Sequence, residues 1–92
     1  MKTELEIYRD KIDEIDTKII DLYEARMEVV KNVIDYKTKN NIPILDSSRE
    51  SKMLDKSLSK IKNHEYKTYY KDVLEGFLKA SKSMQADILK NK

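Results

Sequence analysis

Several residue types are scarce in this 92-residue chain, and their scarcity excludes whole classes of chemistry. Cysteine is absent, which excludes disulfides, thiolate metal sites and thiol nucleophiles. His64 is the single histidine, so a multi-histidine metal site is excluded and a Ser-His-Asp system has no second histidine in reserve. One Gly, one Pro and no Trp, beside 39% charged residues, favour helix over strand or loop.

Length and charge set further bounds on the protein. Ninety-two residues allow one domain at most, and a chain this short buries a modest core, so oligomerisation is a natural route to stability. The opening residues lack the apolar segment of a signal peptide, and no run approaches the roughly 18 apolar residues of a membrane span. The net charge of +2 does not demand nucleic acid or an anionic membrane as a partner. We therefore expect a cytoplasmic protein without either partner.

The strongest periodic signal lies in the first 36 residues, where apolar side chains step by three and four as a helix seam does. This seam consists of Leu5, Tyr8, Ile12, Ile15, Ile19, Leu22, Val29, Val33 and Tyr36. It predicts one helix over about 3–39, ended by Asn40, Asn41 and Pro43. Such a helix spans on the order of 50 Å, whereas a compact globule of this size has a radius of gyration of about 12 Å. One end must project with its seam in water, so the pattern predicts a homodimer.

Two shorter helices are predicted after the proline. Ser47 and Glu50 form a capping-box pattern, with Asp46 as an alternative cap, and they open a second helix over about 47–61. The segment 62–65, which includes His64, is the expected turn. An apolar stripe then predicts a third helix over about 66–89. The predicted fold class is all-α, with one long, one short and one medium helix in each chain of an intertwined homodimer.

Polar residues interrupt these stripes at three positions. The first seam continues from Leu22 to Arg26, and a buried arginine costs several kcal/mol unless an anion meets it. Alternatively, Arg26 snorkels outward or pairs with a neighbouring glutamate. On the third helix, Ser81 and Gln85 continue the stripe of Leu74 and Leu78. Two such groups one turn apart could bind a small polar ligand between helices. Alternatively, they belong to a hydrogen-bond network within the core that has all its partners.

Two further cations lie near the first seam. Lys37 follows Arg26 by 11 residues, so the two share a helix face roughly 16 Å apart and could close on a small dianion. Arg9 is roughly 25 Å from Arg26, too far to share one small ligand within a chain. If two long helices pair antiparallel, Arg9 of one chain comes near the pocket of the other. The alternative for each of these cations is that it lies on the solvated surface and binds no ligand.

Taken together, these residues resemble the type II, all-α chorismate mutase family over essentially the whole chain. The resemblance rests on the order and spacing of Arg9 within the segment YRDKIDEID, Arg26, Lys37, Pro43, the run Asp46-x-x-Arg49-Glu50, and Ser81 with Gln85. It implies an intertwined six-helix homodimer that rearranges chorismate to prephenate for Phe and Tyr biosynthesis. The pericyclic reaction needs neither cofactor, metal nor covalent catalysis.

The resemblance also implies a role for each matching residue. Lys37 and Gln85 would be catalytic, hydrogen-bonding the ether oxygen of chorismate. The two carboxylates would be held by Arg26, Lys37, Arg49 and Ser81 of one chain, and by Arg9 of the other. Glu50 would accept a hydrogen bond from the ring hydroxyl, with the Asp46 backbone nearby, although the capping box is a competing role for Glu50.

One departure and three alternatives accompany the resemblance. Lys82 stands where many relatives carry an apolar pocket residue. The chain is expected to be a free-standing, single-domain form without strong feedback by aromatic amino acids. The alternatives are an isochorismate pyruvate lyase or a 4-amino-4-deoxychorismate mutase of the same fold, and, from a different class, a non-catalytic helical dimerisation module.

Overall fold

The computed structural model describes residues 1–43 and 47–91 and contains three α-helices in them. They are α1 (Glu4–Lys39), α2 (Ser47–Ser59) and α3 (His64–Lys90). The described part of the chain contains no strand, and the predicted all-α class with one long, one short and one medium helix is confirmed. The sequence predicts these helices over about 3–39, 47–61 and 66–89. Asp46 lies outside the described residues.

The long helix α1 begins behind a threonine cap. The Thr3 hydroxyl oxygen accepts a hydrogen bond from the Glu6 backbone N–H at 3.2 Å and donates to the Glu6 carboxylate at 3.2 Å. This contact satisfies one of the backbone donors that a helix start leaves without a partner. No glycine or proline follows until the helix ends, so α1 runs for 36 residues.

A Schellman turn ends α1 at the two asparagines. Asn41 has a φ of 55°, in the left-handed region that Asn tolerates better than most residues. The Ile42 N–H donates to the Lys37 carbonyl at 2.9 Å, and the Asn41 N–H donates to the Thr38 carbonyl at 3.4 Å. Both bonds occupy carbonyls that the helix end would otherwise expose. The turn therefore fixes the backbone of Lys37 in the last turn of α1.

The junction between α2 and α3 differs from the expectation. The second helix is predicted to reach about residue 61 but ends at Ser59, followed by backbone bonds from Lys60 to Ser57 and from Ile61 to Leu58. The prediction that His64 lies in a turn is wrong, because α3 begins at His64. The physical reason is Asn63, whose side-chain Oδ1 accepts from the Glu65 N–H at 3.0 Å and so starts the helix early.

The chain divides into two compact units, Met1–Asn32 and Val33–Lys92, and α1 contributes to both. In the second unit the side chains of Ile34 and Leu74 are buried, and α2 packs on α3. In the first unit the seam of α1 is exposed: the seven seam residues from Leu5 to Val29 have between 49% and 70% of their surface accessible. An apolar stripe of this kind is normally buried against another element.

Candidate active site

One stripe of α3 changes from apolar to polar while it stays buried in the second unit. Leu74 is 3% exposed, Leu78 is partly buried, and Ser81 is only 8% exposed. Gln85 continues the stripe one turn later and is partly buried, as is Ile88. Burial of uncharged polar groups between apolar neighbours costs free energy unless they find hydrogen-bond partners. The partners of Ser81 and Gln85 are therefore informative.

The hydroxyl of Ser81 has a partner within its own helix. It donates to the Phe77 backbone carbonyl at 3.0 Å, one turn earlier. A hydroxyl has one donor and two acceptor lone pairs, so Ser81 keeps acceptor capacity while this bond is made. To bind a carboxylate, the hydroxyl proton would have to turn away from Phe77. The Phe77 carbonyl can still accept the backbone hydrogen bond of the helix after that rotation.

The amide of Gln85 is different. Its Oε1 atom is buried and accepts no hydrogen bond from any group in the described part of the chain. A buried polar atom without a partner costs about 1–3 kcal/mol, and such atoms mark sites where a water or a ligand completes the bonding. Rotation of the amide by half a turn puts its NH₂ group at the same place. Gln85 can thus offer either an acceptor or two donors to a small ligand.

An ion pair joins α2 to α3 beside this stripe. The Lys82 ammonium lies 3.1 Å from Glu50 Oε2, and the two side chains are 49% and 26% exposed. Glu50 stands in the first turn of α2, where the helix dipole favours a negative charge. The competing capping-box role of Glu50 depends on the Ser47 side chain, which lies outside the described residues. Sequence reasoning identifies Lys82 as a departure from the family pattern but misses its contact with Glu50.

Two predicted cations belong to the same unit as this stripe. Lys37 is partly buried in the last turn of α1, after the division between the units. Arg49 is exposed on α2, next to Glu50. The second unit thus contains five of the predicted site residues, with both signs of charge and two buried hydrogen-bonding groups: Lys37, Arg49, Glu50, Ser81 and Gln85.

The first unit contains the two remaining arginines. Arg9 is exposed near the start of α1, and Arg26 is partly buried, so Arg26 is less accessible than the apolar seam residues Leu22 and Val29 on either side of it. Asp46, predicted to approach the ring hydroxyl, lies outside the described residues.

Neither a membrane-spanning helix nor a cluster of metal ligands occurs in the described residues. No helix in them is long and apolar enough to cross a membrane. Within residues 1–43 and 47–91, no three histidine, aspartate or glutamate side chains converge as metal ligands.

The sequence and the fold were compared with those of known proteins. A family model for chorismate mutase type II matches residues 8–86. The bifunctional chorismate mutase/prephenate dehydratase of Buchnera aphidicola (from Acyrthosiphon pisum) is 34% identical over 85 residues, which cover 91% of this chain and 22% of that protein. The chorismate mutase of Methanocaldococcus jannaschii is 41% identical over 56 residues, or 61% of this chain and 57% of that protein. The chain therefore covers less than two thirds of the length of either relative.

A solved structure shows the same fold. The chorismate mutase of Thermus thermophilus superposes with a TM-score of 0.79, covering 86% of this chain and 99% of that one. The two sequences are 20% identical, so this likeness concerns the arrangement of the helices.

Proposed function

The chain belongs to the type II chorismate mutase family, and from this premise we propose that it rearranges chorismate to prephenate on the route to Phe and Tyr. The observation that carries the proposal furthest is Gln85: its Oε1 atom is buried and lacks a partner among the described residues, one turn after the buried Ser81. An inert helical module would gain nothing from such a group. A site for a small polar ligand accounts for it, because the ligand completes the bonding of the amide.

The reaction suits the side chains available. Chorismate breaks its ether C–O bond and forms a C–C bond in one pericyclic step, which requires neither a nucleophile nor proton transfer. Catalysis then depends on holding the compact conformer and stabilising charge that develops on the ether oxygen. A millionfold acceleration corresponds to about 8 kcal/mol of transition-state stabilisation, which a few preorganised charge-assisted hydrogen bonds can supply.

Each residue is assigned one task in this proposal. Lys37 and the NH₂ group of Gln85 donate hydrogen bonds to the ether oxygen, where negative charge increases as the C–O bond stretches. Arg26, Arg49 and Ser81 hold the carboxylates, and the planar guanidinium fork fixes their orientation as well as neutralising their charge. Glu50 accepts the hydrogen bond of the ring hydroxyl.

The proposed active form is a homodimer in which Arg9 enters the site of the other chain. The exposed seam of α1 supports this form, because seven large apolar side chains in water are a strong drive for a second copy to cover them. The interior of such a dimer supplies the dry surroundings in which the charged hydrogen bonds gain strength.

A direct assay tests the proposed activity. The purified chain is incubated with chorismate, isochorismate or 4-amino-4-deoxychorismate, and each product is identified by mass spectrometry. The molecular mass of the protein in solution is measured in parallel to give its oligomeric state. We expect conversion of chorismate to prephenate by a dimer. Release of pyruvate from isochorismate, or conversion of the amino substrate alone, would assign one of the related activities instead.

A pair of variants separates the enzyme from a non-catalytic dimerisation module. Arg26→Leu and Gln85→Leu should each abolish most turnover while the dimer stays folded, because the lost groups act on the substrate. A module would show no turnover in the wild-type chain and would tolerate both changes, with equal or greater stability.

A further inference from the structure

An ion pair joins Lys82 on α3 to Glu50 on α2, within the unit that contains Ser81 and Gln85. Lys82 directly follows Ser81 and precedes Gln85 by three residues on α3, and its ammonium is 3.1 Å from Glu50 Oε2 on α2. Glu50 is the group that the proposed function assigns to the ring hydroxyl. A residue that holds this carboxylate therefore acts on recognition of the substituent.

The geometry leaves Glu50 able to bind a ligand while it is paired. A carboxylate offers about four lone-pair sites on its two oxygens, and the Lys82 ammonium uses one of them, on Oε2. The Glu50 side chain is about half as exposed as that of Lys82, 26% against 49%. The lysine is thus the more exposed partner of the pair, and it restrains the carboxylate through one oxygen.

We propose that Lys82 is a positioning and specificity residue, which holds Glu50 for a neutral hydroxyl and disfavours a cationic substituent on the ring. This inference rests on the proposed function and deepens it, since it names the substrate class that the site prefers. The ion pair as a whole carries little net charge, and the lysine holds the carboxylate in one orientation. A neutral O–H donor therefore meets an acceptor that is already oriented. A protonated amino group meets the same acceptor together with the positive charge of Lys82 a few ångströms away.

The lysine also changes what a lone glutamate would select. Without Lys82, Glu50 is an uncompensated anion, and an ammonium is its best partner. The presence of Lys82 shifts the preference from amino-substituted to hydroxyl-substituted rings. Because the pair is half exposed, the effect is moderate, and about fivefold is the upper end of what such a pair supplies.

The test measures discrimination between the two ring substituents. Steady-state KM and kcat are measured with chorismate, and 4-amino-4-deoxychorismate is measured as a competitive inhibitor through its Ki. We expect Lys82→Met to raise KM for chorismate and lower Ki for the amino compound, changing their ratio by about fivefold. Lys82→Arg keeps the charge and should preserve the ratio within about twofold. Lys71→Met, which removes an exposed lysine from the same helix, should leave it unchanged.

Salt provides a second readout. Rising ionic strength screens the half-exposed charges of Lys82 and Glu50, so the ratios of the wild type and of Lys82→Met should differ most at low salt and converge as salt is added. A ratio in Lys82→Met equal to that of the wild type and of Lys71→Met would overturn the inference. Should Lys82→Met fail to fold, Lys82→Gln, compared with the wild type over the same salt series, decides the same question.

The two proposals fail separately. An unmodified dimer that converts no chorismate refutes the proposed function itself. An unmodified dimer that is active, with a ratio that replacement of Lys82 does not change at any ionic strength, refutes only the role of Lys82.

Discussion

Among single residues, Gln85 is the most informative about the proposed chemistry, because its Oε1 atom is buried and has no hydrogen-bond partner within the described part of the chain. Replacing the amide by a carboxyl group of the same size keeps the shape and changes the donor. Gln85→Glu can donate to the ether oxygen only while its carboxyl is protonated. An exposed glutamic acid has a pKa of about 4.3, and burial raises the pKa of such a group.

We therefore predict that Gln85→Glu is active in acid and loses activity as the pH rises through the pKa of the new carboxyl. The measurement is kcat/KM from about pH 4.5 to 8 beside the wild-type chain, whose amide does not titrate in that range. A variant profile parallel to the wild-type profile would remove Gln85 from the ether oxygen.

A second prediction concerns Lys37, at the end of α1. Lys37→Ala should lower kcat by about 100-fold or more, the size of effect seen when one transition-state donor is removed. Its thermal midpoint should change little, because the backbone bond from Ile42 to the Lys37 carbonyl does not need the side chain. Lys39→Ala, an exposed lysine in the same last turn, is the matched control and should keep full turnover. Equal turnover in both variants would show that Lys37 has no catalytic part.

Among the helices, α3 carries a local weakness at Gly76. Glycine inside a helix is less stable than alanine by about 0.5–1 kcal/mol, and a Cβ built at Gly76 meets nothing within 4 Å. Gly76→Ala should raise the free energy of unfolding by about that amount, measured by urea denaturation at a fixed chain concentration. A decrease would indicate that another chain packs closely on this position.

At the level of elements, the sequence predicts most of the fold because the signals are local. The apolar period defines α1, and Asn41 with Pro43 marks its end, where the structure has a Schellman turn. The apolar pattern places the start of α3 too late because the first strong apolar residue is Tyr66, whereas the cap that begins the helix is Asn63. A cap signal should therefore take precedence over the first apolar position when the two differ.

The site is predictable only in part, for a related physical reason. Ser81 and Gln85 stand out from sequence because they break an apolar period that the helix itself imposes. The contact between Glu50 and Lys82 joins two helices, and no period within one helix encodes which charged side chains will meet across the interface. The roles of the cations come from family resemblance and remain predictions.

For the whole molecule, the proposal that Arg9 of one chain completes the site of the other can be tested directly. Arg9→Ala and Lys37→Ala should each be nearly inactive alone. When the two variants are unfolded, mixed and refolded, each hybrid dimer has one site with both residues intact and one with neither. Random pairing makes half of the dimers hybrids, so about a quarter of the wild-type activity should return.

The control for this experiment is the double variant, which carries both changes in one chain. It should stay inactive after the same unfolding and refolding. If Arg9 served the site of its own chain, every site in the hybrid would lack one residue. The mixture would then remain inactive, and the crossed arrangement would be refuted.

The bare seam of α1 also bears on the life of the chain in a cell. Seven large apolar side chains in water attract any other unprotected surface, so a newly synthesised copy is prone to aggregate until this seam is covered. If a second copy covers it, as we propose, pairing is a second-order event, and at low abundance most copies are still monomers. Output should therefore rise more steeply than the amount of chain made, so that halving the expression of a scarce protein removes more than half of its product.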